Sequence, residues 1–278
     1  MSYEGYTGLR IEVTDGIATI LIDNPPLNLF DRTLFAEITR ASGELASDDD
    51  ARVVLLRSAV PGFFIAHFDA TLIQELPTKG TDIQQRRGAW SDMCESFRTM
   101  PKATIAVIEG RAGGGGNELA LACDMRFAAR ETAIFNQWEV AVGLLPGGGG
   151  LTRLARLMGR SRAMEAILAC DDFDADTAER YGWINRALPL SELDPFVERL
   201  ARRIASFPPY AVAAAKEAVL RVEKDIIADL HAEHEPTSRV KDMPQTREAV
   251  DRFLQGGGQT VEGESRLGDL LGELASKP

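Results

Sequence analysis

No apolar run in this 278-residue chain reaches the roughly 20 residues that a membrane-spanning helix requires. The opening MSYEGYTGLR has neither the basic start nor the apolar core of a secretory leader. Cysteine is scarce and odd in number, and the wide spacing of Cys94, Cys123 and Cys170 excludes a disulfide framework. A soluble, cytoplasmic protein with reduced, buried cysteines is expected. Basic charge is also in deficit: 31 Lys and Arg against 42 Asp and Glu give a formal net charge of −11. This argues against nucleic-acid or membrane partners. Arg86, Arg87, Arg153, Arg156, Arg160 and Arg162 leave room for a local anion site, although a solvated helix face is the commoner outcome.

Several catalytic signatures are missing. There is no Gly-x-Ser-x-Gly, and the three histidines are His67, His231 and His234. His231 and His234 stand three apart among Asp229, Glu233 and Glu235, but no third ligand has metal-site spacing, so no metal is expected. Neither glycine run continues as Gly-Lys-Ser/Thr. A dinucleotide fingerprint starting at Gly113 and Gly115 would put the Glu118 carboxylate where the third glycine belongs, against a pyrophosphate.

What is present begins with a hairpin, residues 9–13 and 17–22 around Thr14-Asp15-Gly16. The prolines of Asn24-Pro25-Pro26-Leu27-Asn28-Leu29 then break the strand. Helical spacing over 31–45, with Asp31 as N-cap, precedes a buried strand at 53–57. An apolar loop at 62–69 leads to a helix at 70–76, a polar stretch at 78–85 and a helix at 86–97. Helices follow at 151–158 and 161–169, then one capped by Asp174 or Asp176 and closed by Gly182, with a strand over 183–188. Strand–helix alternation predicts an α/β fold. Beyond Pro195 the pattern is helical, at 196–207, 210–222 and 226–235, and Gln255-Gly256-Gly257-Gly258-Gln259 is the low-complexity point near the end. The division drawn is a core of residues 1–195 and a helical region of 196–278.

The stretch 104–151 organises the rest. An apolar strand at 104–108 runs into Gly113–Gly116 and a helix containing Leu119, Ala120 and Ala122, while a second strand at 132–135 leads to Glu139. Glycines beside a helix start present free backbone N–H groups to a ligand at close range. With Glu118 and Glu139 nearby, the arrangement suggests proton transfer beside an oxyanion site.

The run Ile105-Ala106-Val107-Ile108-Glu109-Gly110-Arg111-Ala112, the four glycines and Asn117-Glu118-Leu119-Ala120-Leu121-Ala122-Cys123-Asp124 resemble the enoyl-CoA hydratase/isomerase (crotonase) superfamily. The resemblance continues through 137–146, 178–185 and Ala215-Lys216-Glu217-Ala218, covering most of residues 9–225. It implies a spiral of ββα units with a helical C-terminal region, acting on an acyl-CoA thioester and assembling as a homotrimer or dimer of trimers. Coenzyme A arrives with the substrate, and no other cofactor is implied. By position, Phe68 and Gly115 match the two backbone donors to the thioester carbonyl, and Glu118 and Glu139 match the hydratase glutamates. Asn28, Ala66, His67, Asp69, Ala112, Gly114, Asn136, Trp138 and Leu144 are the implied substrate contacts, with Lys216 a further candidate for the CoA phosphates.

Three positions depart from the family pattern. His67 stands where glycine is usual, as a larger filler or a hydrogen-bonding group for substrate, and Asn136 and Trp138 replace glycine and proline. The expected reaction is hydration of a 2-enoyl-CoA. Isomerisation, decarboxylation, thioester hydrolysis and non-catalytic acyl-CoA binding are the alternatives on this scaffold.

Overall fold

The computed structural model describes residues 3–75, 88–223 and 225–275. Its first strands, β1 (Leu9–Thr14) and β2 (Ile17–Ile22), pair antiparallel as expected. Asp15 and Gly16 both take positive φ, 54° and 78°, as a two-residue turn matched to strand twist requires. Helix α1 (Arg32–Ser47) starts at Asp31, whose carboxylate accepts the Leu34 N–H at 2.8 Å, and turns Leu34, Ile38, Ala41 and Leu45 inward.

The core then repeats one unit. Strands β3 (Val53–Ser58) and β4 (Phe63–Ile65) are followed by helices α2 (Ala70–Glu75) and α3 (Ala89–Thr99). Strands β5 (Ala103–Ile108) and β6 (Arg111–Gly113) are followed by α4 (Gly114–Ala122). Strands β7 (Met125–Ala129) and β8 (Ile134–Asn136) lead through a 3-10 turn (Glu139–Val142) to α5 (Gly150–Met158) and α6 (Arg160–Ala169). After β9 (Phe173–Asp174) and α7 (Ala175–Tyr181), β10 (Arg186–Leu188) completes the strands. In each of the three pairs, the first strand joins a six-stranded sheet, β1-β2-β3-β5-β7-β10, and the second a four-stranded sheet, β4-β6-β8-β9. The chain therefore winds as a spiral of ββα units. The central strands are parallel.

The central strands β3 and β5 are buried on both faces and read as apolar runs, whereas β1 at the sheet edge alternates buried and exposed residues. Val54, Leu56, Ala106 and Ile108 face the main core, while Val53, Leu55, Ile105 and Val107 face α8 (Leu190–Ala205) through Leu193, Val197 and Ala201. Pro195 lies inside α8, so the sheet and this first C-terminal helix share one core.

Among the described residues all structure beyond α8 is helical: α9 (Pro209–Leu220), α10 (Ile226–Ala232), α11 (His234–Lys241), α12 (Pro244–Gln255), α13 (Val261–Ser265) and α14 (Leu267–Ala275). Helix α9 buries none of its residues. Helices α12 and α14 return to the core, packing Val250, Phe253, Leu267, Leu270 and Leu271 against Ala70, Trp138, Val142 and Cys170. All three cysteines are buried and free.

Some boundaries differ from expectation. The helix expected over 86–97 is seen from Ala89, and residues 76–87, including Arg86 and Arg87, lie outside the described residues. The strand expected at 183–188 shortens to β10 because the N–H groups of Trp183 and Ile184 bond back to the Ala178 carbonyl of α7. The strand expected at 132–135 is displaced to Ile134–Asn136, where it pairs with β6.

Candidate active site

The glycines do not precede a helix; they form its first turn. Helix α4 begins at Gly114, so the N–H groups of Gly114, Gly115 and Gly116 have no acceptor within the helix. Close packing explains why no side chain is tolerated. A Cβ on Gly113 would lie 2.5 Å from the Ala66 carbonyl, one on Gly116 would run into Ile65, and one on Gly115 would run into the Trp90 ring. Gly114 has φ +45°, a left-handed value that favours glycine, and its missing side chain leaves space bordered by Glu139 Oε1, Trp138 Nε1 and the His67 Cβ.

Glu118 is buried on the next part of α4, with three N–H donors around it. Gly148 and Gly150 donate to Oε1 at 2.7 and 3.0 Å, and the Trp90 indole donates to Oε2 at 2.9 Å. Arg153 holds this glycine turn through the Gly148 carbonyl at 2.7 Å and is itself paired with buried Glu95 at 2.6 Å. Burial raises the Glu118 pKa, and the donors from Gly150, Gly148 and Trp90, with the Arg153 charge, oppose that rise.

Glu139 opens the 3-10 turn. Burial and then the charge of Glu118 push its pKa up to about 8. Gln137 donates to both its oxygens, at 2.8 and 2.9 Å. Gln137 in turn accepts from Asn117 at 2.6 Å, and Asn117 accepts from the Trp183 indole at 2.8 Å. This buried relay has one direction, since an indole can only donate, and it fixes which end of each amide faces Glu139.

The loop after β4 runs beside the start of α4. Phe30 and Phe68 form a parallel bridge in which Phe30 donates to the His67 carbonyl at 2.9 Å and Asp69 donates to the Phe30 carbonyl at 3.1 Å. The N–H of Phe68 consequently points away from Phe30. Trp90 stands edge-on to Phe30 and Phe68, with ring centroids 4.6 and 5.5 Å away, and closes the space next to Gly115.

The remaining expected contacts divide into two groups. Ala66, Gly114, Ala112 and Trp138 line the junction of the two sheets and α4, and Leu144 packs half-buried at its rim. Asn28 lies under the loop, bonding Ser58 Oγ and the Phe64 carbonyl at 2.8 and 2.9 Å. Asn136 faces Asp172 at 2.9 Å, and Asp172 is paired with Arg111. The reading of His67 as filler accounts for its packing on Trp138 and Phe253 but not for its polarity: Nδ1 meets the Phe68 carbonyl at 2.7 Å and Nε2 meets Glu264 Oε1 at 2.9 Å. Asp69 accepts from Thr71 and from Gln259. Lys216 is spent on Asp124 and the Lys102 carbonyl, both at 2.9 Å. His234 accepts the Gly88 N–H at 3.1 Å, and no metal-binding cluster occurs among the described residues.

Trp90, Asn117, Gln137, Trp183, Gln259 and Glu264 are neighbours of the candidate residues that the sequence did not single out, and Arg153, a candidate for an anion site, instead pairs with Glu95. Asn117, Gln137 and Trp183 sit inside the runs that carry the family resemblance, adjacent to the glutamates or to conspicuous aromatics. Trp90 has no motif around it.

Comparison with known proteins agrees with this architecture. The enoyl-CoA hydratase/isomerase family model matches residues 12–260. The short-chain-enoyl-CoA hydratase of Clostridium acetobutylicum is 30% identical over 88% of this chain and 94% of that protein. "Probable enoyl-CoA hydratase EchA17" of Mycobacterium tuberculosis is 31% identical over 90% of each. A Streptomyces avermitilis crystal structure, described as a "putative enoyl-CoA hydratase", superposes with a TM-score of 0.88 and 37% identity over 98% of this chain and 100% of that one. The spiral of ββα units, the two-sheet core and these relatives together make the chain an enzyme of the enoyl-CoA hydratase/isomerase family.

Proposed function

We propose that the protein adds water across the double bond of a 2-enoyl-CoA, using the N–H groups of Phe68 and Gly115 as donors to the thioester oxygen and Glu118 and Glu139 as the proton-transferring pair. The observation that carries this reading is the unequal environment of two neighbouring carboxyls. Glu118 accepts three N–H bonds that favour its ionised form, while Glu139 holds its proton against the Glu118 charge. Glu118 takes a proton from water as the oxygen bonds to Cβ. The electron pair of the double bond moves to the thioester oxygen, where two N–H groups stabilise the enolate. Glu139 then gives its proton to Cα. No step calls for a metal or redox group, and coenzyme A enters and leaves with the acyl chain.

Trp90 sets a limit on the substrate, because its ring walls the space next to Gly115. The exposed apolar residues of α9 support self-association. The test is turnover of crotonyl-CoA and a panel of longer, branched and aromatic enoyl-CoA esters, with products identified by mass. Addition of one water is expected, and Glu118→Gln should lower kcat by about 10²- to 10⁴-fold. Double-bond migration, loss of carbon dioxide or release of free coenzyme A would instead assign another reaction of the family.

A further inference from the structure

The glycine-rich point near the C-terminus has no part in the chemistry above, yet it lies against the loop that carries Phe68. Gln259 spans the loop with its side-chain amide: Oε1 accepts the Ala70 N–H at 2.6 Å and Nε2 donates to Asp69 Oδ1 at 2.9 Å. Glu264 reaches His67 from the other end at 2.9 Å, and the same oxygen accepts the Gln259 N–H at 2.8 Å. Thus two residues of the C-terminal segment hold positions 67, 69 and 70, on both sides of Phe68.

Protonation is constrained by the partners. The Phe68 carbonyl can only accept, so His67 Nδ1 carries a hydrogen, and Nε2 faces a carboxylate oxygen across one proton. His67 and Glu264 are 1% and 0% exposed, so neither can exchange its partner for water. Breaking such a pair leaves an uncompensated buried charge.

The glycines let the segment come close enough. Gly257 has φ +108°, a Cβ on Gly258 would enter the Phe253 ring, and one on Gly263 would strike the Gly257 carbonyl. Phe253 is the ring that packs on His67 and Trp138, with centroids 5.9 and 4.6 Å away. Backbone turn, ring and ion pair therefore act on one place.

We infer that the segment 257–264 is a clamp on the loop 67–70, in which Gln259 and Glu264 are positioning residues that set where the Phe68 N–H points. This rests on the proposed role of Phe68 as an oxyanion donor. An oxyanion donor is useful only at the position the developing charge will occupy, and small misplacements cost large factors in rate.

The test uses the full chain and the single variants Gln259→Ala and Glu264→Gln. Three readouts are needed: kcat and KM for crotonyl-CoA, and the infrared frequency of the thioester carbonyl of bound butyryl-CoA, a saturated ester that cannot be hydrated. In the wild-type protein the carbonyl frequency should fall on binding. Each variant should lose part of that shift and show kcat lowered about tenfold to hundredfold, with KM within about twofold. Wild-type kcat and carbonyl frequency in the variants overturn the clamp and leave the hydratase reading standing, as does an effect confined to KM. A wild-type protein that binds the ester without shifting its carbonyl overturns the Phe68 assignment, and the clamp with it. If Glu264→Gln does not fold, Gln259→Ala decides the matter, since Gln259 is half-buried and uncharged.

Discussion

A carboxyl that keeps its proton near neutrality needs poor solvation and a nearby negative charge, and Glu139 has both. Its partner Glu118 has donors from Gly148, Gly150 and Trp90 and the nearby Arg153 charge, against the single Gln137 side-chain amide on Glu139, so the pair divides into a base and an acid. Rate should therefore fall on the acid side as Glu118 gains a proton and on the alkaline side, from about pH 8, as Glu139 loses one. Two substitutions move these limbs separately. Trp90→Phe keeps an aromatic wall but removes the indole N–H that lowers the Glu118 pKa, so the acid limb of kcat/KM should move to higher pH. Gln137→Met removes the amide that lowers the Glu139 pKa, so the alkaline limb should move to higher pH while kcat falls. The pH profile of crotonyl-CoA hydration measures both, and a limb that stays in place counts against the role given to its residue.

At the scale of elements, the site depends on how closely β4 and α4 approach. Gly116 lies where a Cβ would press on Ile65, so Gly116→Ala forces apart the strand that leads to Phe68 and the helix that carries Gly115 and Glu118. The expected loss of stability is about 1 to 3 kcal/mol, the range for overpacking a close contact, read by denaturant unfolding, with a concurrent fall in kcat. Unchanged stability and activity would mean that the two elements separate without consequence. The elements that local chemistry defines were legible in the sequence: the Asp15-Gly16 turn, the Asp31 cap of α1, the closing Gly182, and a cap of α7 at Asp174 or Asp176, which the structure resolves to Asp174 with its carboxylate on the Thr177 N–H at 2.7 Å. The short strands β4 (read as part of an apolar loop), β6, β8 and β9 were missed or displaced, because two or three residues carry no periodicity and only their neighbours make them strands. In the site, Glu118, Glu139 and the glycines could be picked out from adjacent residues. The bonds of His67 and Asp69 to Glu264 and Gln259 could not, since their partners lie 197 and 190 positions away.

The whole molecule is unevenly finished. Helices α12 to α14 fold back and cover the elements around Trp138, whereas α9 buries no residue and leaves Tyr210 and Val219 79% and 67% exposed, with Val222 just beyond at 82%. Between α9 and the end of α4 lies a cavity of about 460 Å³ bordered by Leu157, Val212, Val219 and Val222 and by charged residues including Arg98, Lys216 and Glu223. An isolated chain would keep this apolar surface in water, at roughly 25 cal/mol per Å². A second copy of the chain is the partner to expect, because the surface is a feature of every subunit and closed symmetric assemblies are the rule among soluble oligomers. The family resemblance implies a trimer or a dimer of trimers, so sedimentation should give a mass three or six times 30.3 kDa. Val219→Glu places a charge on this face and should shift the protein towards the monomer. A monomeric wild-type mass at micromolar concentration would overturn the assignment of this face, and a multimer unmoved by Val219→Glu would place the contact elsewhere on the molecule.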